Sequence, residues 1–329
     1  MKNKIPAIRF VTLMFAVFLA AVAVPVALAT VESGEGSQNL APVAENLEFT
    51  TYKGVAIMGT LQAVDPEGDM IEFKMISEPK KGAAVLAEDG SFTYTPNEGK
   101  KGKDTFTYVV VDSMGNVSEE AIVKVVIEKQ STDVTYSDLE GSSEQYAALK
   151  LAEEGLFVGE KIGDQYFFNS DQMVSRGEFL AMCLNASGVE LVTGITRTGF
   201  ADDDEIDAWL KPYVTTALMS GTIQGRRIDS GTLYFAPNEP ITAAEASVML
   251  NNVLEISDVS DNGSGAEDGL VPTWAYQATL NLSACRIIPA ANDSLYDDEM
   301  TRASAAQMLC SALDLLASDS SNSLLSWAF

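Results

Sequence analysis

Ser175-Arg176-Gly177-Glu178-Phe179, Thr242-Ala243-Ala244-Glu245-Ala246 and Thr301-Arg302-Ala303-Ser304-Ala305 are three versions of one short stretch. An apolar residue precedes each: Val174, Ile241 and Met300. Apolar and small residues follow, as in Leu180-Ala181-Met182-Cys183-Leu184, Ser247-Val248-Met249-Leu250 and Ala306-Gln307-Met308-Leu309. A hydroxyl residue ahead of an apolar run marks a helix start. The spacings between the three stretches are 67 and 59 residues. A second marker, an aromatic near the start of an earlier helix, recurs at 63 and 65 residues as Tyr146, Trp209 and Trp274. Two different markers with similar spacing argue for three structural units.

The first two units share more. Tyr136-x-Asp138 matches Phe200-x-Asp202, and Gly155 with Gly159 matches Gly221 with Gly225, the expected end of the first helix. Phe167-Phe168-Asn169 matches Tyr234-Phe235-Ala236-Pro237 ahead of the motif. This order, over about 135–316, resembles the S-layer homology family. The resemblance implies units at 135–190, 197–257 and 268–316, packed as an all-α bundle with pseudo-threefold symmetry and binding grooves between neighbours. It also implies non-covalent anchoring to cell-wall polysaccharide, often one bearing a pyruvate ketal. Residues 317–329 read as a tail.

The motif residues have a chemistry of their own. Ser175 and Glu178 stand three apart, as do Thr242 and Glu245. That is a capping box: the hydroxyl accepts the N3 amide and the Glu reaches back to the cap. Thr301 heads the third copy, where Ser304 replaces Glu and leaves the box incomplete. Arg176 and Arg302 fall at the first helical position, where a cation is disfavoured by about 0.3–1 kcal/mol. Either a local carboxylate or an anionic ligand held by guanidinium and helix amides offsets that cost. The family resemblance favours the ligand. Trp209, Trp274 and Tyr146 read either as stacking surfaces for a sugar ring or as core aromatics. Asp138 and Asp202 read as sugar-hydroxyl acceptors or, more simply, as helix caps. Ala243 stands where the resemblance expects Arg, Tyr146 where it expects Trp, and Cys285-Arg286-Ile287-Ile288 replaces the usual Gly. At most two grooves are expected to be competent.

Residues 41–129 have another texture. Ser91-Phe92-Thr93-Tyr94-Thr95 and Thr105-Phe106-Thr107-Tyr108 alternate, and Ala121 to Ile127 is rich in β-branched residues. Turn signals lie between them: Pro66-Glu67-Gly68-Asp69, Asp89-Gly90 and Met114-Gly115-Asn116. Short strands with such turns over about 90 residues predict a β-sandwich. The segment resembles the cadherin-like and immunoglobulin-like repeats of bacterial surface proteins. The resemblance rests on Ala41-Pro42-Val43-Ala44, Gly59-Thr60-Leu61, Ala63-Val64-Asp65-Pro66-Glu67-Gly68-Asp69, Gly102-Lys103-Asp104-Thr105-Phe106 and Val111-Asp112-Ser113-Met114-Gly115-Asn116. It implies a spacer or adhesive module. Asp65, Glu67, Asp69 and Asp112, with Glu45, offer hard oxygens to Ca²⁺, although no EF-hand spacing is present; the plainer reading is an acidic turn.

Working outward, Lys2, Lys4 and Arg9 precede an apolar run from Phe10 to Ala29 ending in Ala27-Leu28-Ala29, which reads as a signal peptide over 1–29. Residues 30–40 read as a flexible lead-in and 130–134 as a linker. The net charge of −26 becomes −29 once the three leader cations are gone. Such a surface repels nucleic acid and anionic lipid, so neither is an expected partner. The expected setting is the wall surface of a bacterium, with other surface proteins as further candidate partners. Three cysteines make no complete disulfide framework. The absence of histidine removes Ser-His-Asp and Cys-His catalysis and His-ligated zinc. A non-catalytic, multidomain surface protein is therefore expected. A Ca²⁺-dependent adhesin or assembly protein is the alternative. A two-carboxylate surface hydrolase is a more remote one, since no segment remains for a catalytic domain.

Overall fold

The computed structural model describes residues 39–228, 231–260, 271–288 and 298–325. The expected signal peptide, most of the lead-in and the end of the tail lie outside them. Two compact units divide the chain between Tyr146 and Ala147.

The first unit is a sandwich of short strands. They are β1 Val43–Ala44, β2 Leu47–Tyr52, β3 Ile57–Thr60, β4 Ala63–Val64, β5 Ile71–Ser77, β6 Gly82–Leu86, β7 Ser91–Pro96, β8 Gly102–Asp112 and β9 Ala121–Glu128. One sheet has the order β2-β9-β8-β5, the other β3-β7-β6, and β1 pairs with β4. β2 runs parallel to β9, with Leu47 opposite Val123, and the other pairings are antiparallel. Strict alternation along β8 buries Asp104, Phe106, Tyr108, Val110 and Asp112 on one face. Phe106 meets Phe92 edge-on at 5.4 Å, and Phe92 meets Phe49 at 5.1 Å. Gly59 lies under those rings: a Cβ there would come within 2.8 Å of both Phe92 and Phe49. Buried Asp104 accepts from the amides of Lys80 and Lys81 and from the Tyr94 hydroxyl at 2.7–2.9 Å, so its charge is satisfied.

The second unit carries α1 Gln145–Glu153, which starts at the boundary, then α2 Arg176–Ser187, α3 Lys211–Ser220, α4 Ala243–Leu254, α5 Tyr276–Ala284 and α6 Arg302–Leu325. α2 packs on α3, α4 and α6, and α4 packs on α5. The expectation of an all-helical half needs correction. Between helices lie two hairpins, β10 Glu160–Ile162 with β11 Gln165–Phe167, and β12 Arg226–Ile228 with β13 Thr232–Tyr234. In the first, Gly163-Asp164 forms a two-residue turn with Gly163 at φ +64°, which suits a right-twisted hairpin.

The three motif starts form a closed ring. Val174 N donates to Met300 O at 2.9 Å, Met300 N to Ile241 O at 2.8 Å, and Ile241 N to Val174 O at 3.0 Å. All three residues are buried. Antiparallel bridges flank the ring: Met173 with Thr301, Ser175 with Pro240, and Thr242 with Glu299. Replacing Met300 by Pro removes one donor and leaves the Ile241 carbonyl buried without it. We expect Met300→Pro to lose about 1–3 kcal/mol more than Met300→Leu. Urea unfolding of both variants measures the difference; equal losses would show that the ring adds nothing.

Candidate functional site

The first three amides of α2 and of α6 are occupied, and α4 carries the same kind of cap. In α2, Ser175 Oγ accepts the Glu178 amide and Glu178 Oε2 accepts the Ser175 amide. Thr242 and Glu245 do the same for α4. In α6, Thr301 Oγ1 accepts the Ser304 amide, and Ser304 offers no carboxylate in return. The next amides go to a neighbouring unit. Arg176 N donates to Glu239 O and Gly177 N to Pro237 O, while Arg302 N donates to Gln172 O and Ala303 N to Ser170 O.

The two arginines follow the same route. Arg176 is 6% exposed. Its Nε donates to Phe235 O at 3.0 Å, its Nη1 lies 3.0 Å from Glu245, and its guanidinium sits 5.6 Å from the centre of the Phe235 ring. Burial pushes the group below its ordinary value, and Glu245 works against that shift. Arg302 is 8% exposed, with Nη1 3.1 Å from Phe168 O and 3.3 Å from Glu160, above the Phe157 ring at 5.0 Å. The space around it is about 10 Å³, room for one water at most. Of the two readings of Arg176 and Arg302, the structure shows the carboxylate partner. A local carboxylate offsets each cation, and both side chains tie one unit to the next. Arg226 joins this system, bonding Glu245 bidentately and pairing with Glu239. Sequence reading missed Glu160, Arg226 and Glu239, because Arg302 pairs with Glu160 across units and Arg226 pairs with Glu239 thirteen residues on, and neither separation is a local spacing.

Asp202 is corrected too. It is buried, and its carboxylate accepts from Phe235 N and Ala236 N at 2.7–3.1 Å. It thus clamps the aromatic loop before the second motif, and makes no side-chain cap on the 3-10 turn Asp203–Glu205 that follows it. Asp138 is exposed in a turn seven residues before α1, too far to cap it. Tyr146 is half-buried in the first unit's core, 5.5 Å from Tyr52. It is a core aromatic rather than a sugar platform.

Trp209 and Trp274 do not fill the core. They are 54% and 59% exposed, each two residues ahead of its helix. Trp209 borders a groove of about 250 Å³, lined also by Ser175, Gly177, Glu178, Asp207, Leu210, Pro237 and Asn238. The Trp209 indole N–H donates to Asp207 at 3.3 Å, and its ring meets Tyr213 edge-on at 6.1 Å. The volume is just below the usual span of small-ligand sites, about 300–1,000 Å³. Gly177 floors the groove: a Cβ there would fall 2.5 Å from Leu210 Cδ2.

The acidic turns of the first unit are spent on backbone. Asp65 Oδ1 accepts from Glu67 N and Asp69 N; Asp112 accepts from Met114 N, Asn116 N and the Asn39 side chain; Glu67 accepts from Leu40 N. Asp65 Oδ2 is buried without a hydrogen-bond partner. Among the described residues no three acidic, His or Cys groups gather to hold a metal. Asp65, Glu67, Asp69 and Asp112 therefore do not fit a preformed Ca²⁺ cage, and the acidic-turn reading describes them.

Two changes test this account. Arg302→Ala removes a buried cation that satisfies the Phe168 carbonyl, and we expect a loss of about 1–3 kcal/mol in urea unfolding. Asp203 is held at about 2, against an ordinary 3.8, first by Lys211 Nζ at 2.8 Å and then by the Thr198 amide and hydroxyl. A depressed carboxylate stabilises the fold above its unfolded value and loses that effect as pH falls. Between about pH 4 and pH 2, wild type should lose stability more steeply than Asp203→Asn. Parallel thermal-melting profiles over that range would refute the assignment.

Comparison with known proteins locates the first unit. Residues 39–129 match the model of the bacterial cadherin-like domain. Over 129 residues the chain is 26% identical to the surface-layer 125 kDa protein of Lysinibacillus sphaericus. The match covers 39% of this chain and spans a tenth of that protein's length. Among solved structures, the SrpA adhesin R347E mutant of Streptococcus sanguinis is similar at 16% identity and a TM-score of 0.22, over 29% of this chain and 65% of that one. Human protocadherin-24 EC1-2 is similar at 19% and 0.22, over 28% and 44%. No helix among the described residues is long and apolar enough to cross a membrane. The chain thus carries an N-terminal bacterial cadherin-like domain followed by a region with six helices among the described residues, and its similarities point to a cell-surface protein.

Proposed function

We propose that the chain is a non-catalytic surface protein held non-covalently on cell-wall polysaccharide by three S-layer-homology-like units, with the cadherin-like domain as spacer or adhesive module. The observation that carries this reading is the groove at Trp209. A large exposed aromatic stands beside hydroxyl, amide and carboxylate groups in a concave site, the combination a sugar ring needs. The closed backbone ring at Val174, Ile241 and Met300 supports a pseudo-threefold arrangement of the units. The similarity to a surface-layer protein supports the setting. The lack of histidine supports the non-catalytic part. Other surface proteins remain candidate partners of the sandwich.

The test is pelleting of the mature chain with purified wall sacculi, before and after their polysaccharide is extracted. Retention should vanish on extraction. Trp209→Ala should weaken it by about tenfold or more, since an exposed Trp at a site centre is a typical hot spot. Undiminished retention on stripped sacculi would sink the proposal.

A further inference from the structure

We infer that the sheet edge formed by β6 pairs with β6 of a second copy of this chain, antiparallel and across a twofold axis at Ala84, independently of any wall anchoring. β6 is the last strand of the sheet β3-β7-β6, so only one of its sides is paired. Ala87 N donates to Ser91 O at 2.8 Å, and Asn97 N donates to Lys81 O at 2.8 Å. The odd-numbered residues therefore turn their backbone groups to β7, and those of Gly82, Ala84 and Leu86 point outward. Among the described residues nothing bonds these outward groups. The edge closes just beyond both ends, where Lys80 N donates to Asp104 and Glu88 O accepts from Phe73 N. Charge, proline or a bulge normally blunts an open edge. β5, at the edge of the other sheet, carries the Lys74–Glu72 ion pair and a register break after Met75. β6, Gly82-Ala83-Ala84-Val85-Leu86, carries none of these devices.

The flanking charges select the occupant. Antiparallel pairing centred on Ala84 sets Ala84 opposite Ala84 and Gly82 opposite Leu86, which closes about six inter-strand hydrogen bonds. The same register sets Lys80 of each copy opposite Glu88 of the other. Both side chains are exposed, and neither has an ion-pair partner among the described residues. On the outer face Met58, Thr93 and Val85 form one row, with Met58 62% and Val85 72% exposed. Ala83 of the second copy extends that row without a charge. Copies of a chain with net charge −26 repel one another, so contact between them needs a surface whose charges match locally. The β6 edge matches itself in both hydrogen bonding and charge.

Sedimentation equilibrium of the mature chain over about 1–200 µM should show monomer and dimer in exchange. Lys80→Glu and Glu88→Lys each place like charges at both ends of the pairing and should weaken the dimer about tenfold. An equimolar mixture of the two variants restores opposite charges and should associate as wild type does. Ala84→Pro, whose lost N–H points away from β7, should leave the chain monomeric with a melting temperature near wild type. A wild-type chain that stays monomeric overturns the inference and leaves the edge to an extended strand of another protein. A dimer that neither charge variant weakens, or a mixture no tighter than the variants alone, overturns it by placing the contact elsewhere. Should Ala84→Pro melt early, the mixture still decides, because the charge variants keep the backbone bonds of Lys80 and Glu88.

Discussion

The backbone amides of Val174, Ile241 and Met300 each donate to the carbonyl of another member of the set, so three segments far apart in sequence must start their helices around one point. A ring of this kind has little tolerance. Each residue is buried, so an amide that loses its partner has no water to turn to. Each helix start is thereby brought against the loop of a neighbour, and the remaining features follow from that contact. Arg176 finds the Phe235 carbonyl and Glu245; Arg302 finds the Phe168 carbonyl and Glu160. Glu245 serves three times, closing its own capping box, holding the arginine of the preceding unit and pairing with Arg226.

This arrangement resolves the cation at the first helical position. A lone Arg there opposes the helix dipole. Here the guanidinium extends away from its own helix to a carboxylate and a carbonyl of the next unit, over an aromatic face. The motif works mainly as assembly chemistry. Recognition then falls to the surfaces the assembly leaves exposed, of which the Trp209 groove is one.

What could be read from sequence follows the range of the interactions. The sandwich strands β7 and β8 show in alternation, which depends only on neighbours two apart, and β9 shows in its β-branched run. Caps at Ser175 and Thr242 show in a spacing of three. The apolar residue ahead of each motif was visible, but its part in a ring was not, because backbone hydrogen bonds leave no trace in side-chain identity. Asp202 reads in sequence as a sugar-hydroxyl acceptor or a helix cap, because its partners, the amides of Phe235 and Ala236, lie more than thirty residues on. The hairpins were overlooked because three-residue strands are too short for periodicity to register. Gly163-Asp164 between Ile162 and Gln165 was the signal that would have found the first of them.

The units also differ in how they fill equivalent contacts. Gly177, Ala244 and Ala303 share one motif position, and Leu210 and Ala275 each follow an exposed Trp. Against Leu210 the motif places Gly177, where any Cβ would fall 2.5 Å from a Leu210 methyl. At the next junction Ala244 packs with Ala275 in one small cluster, joined by Val248, Val271 and Ile288. At one junction a large residue faces no side chain, and at the other two small residues face each other. At Gly177 a Cβ would also come within 3.1 Å of the Pro237 carbonyl, so a side chain there has no room between the two units. Repetition of the motif therefore fixes where helices begin, while the size of one residue in each copy sets how closely the neighbouring helix start can pack against it.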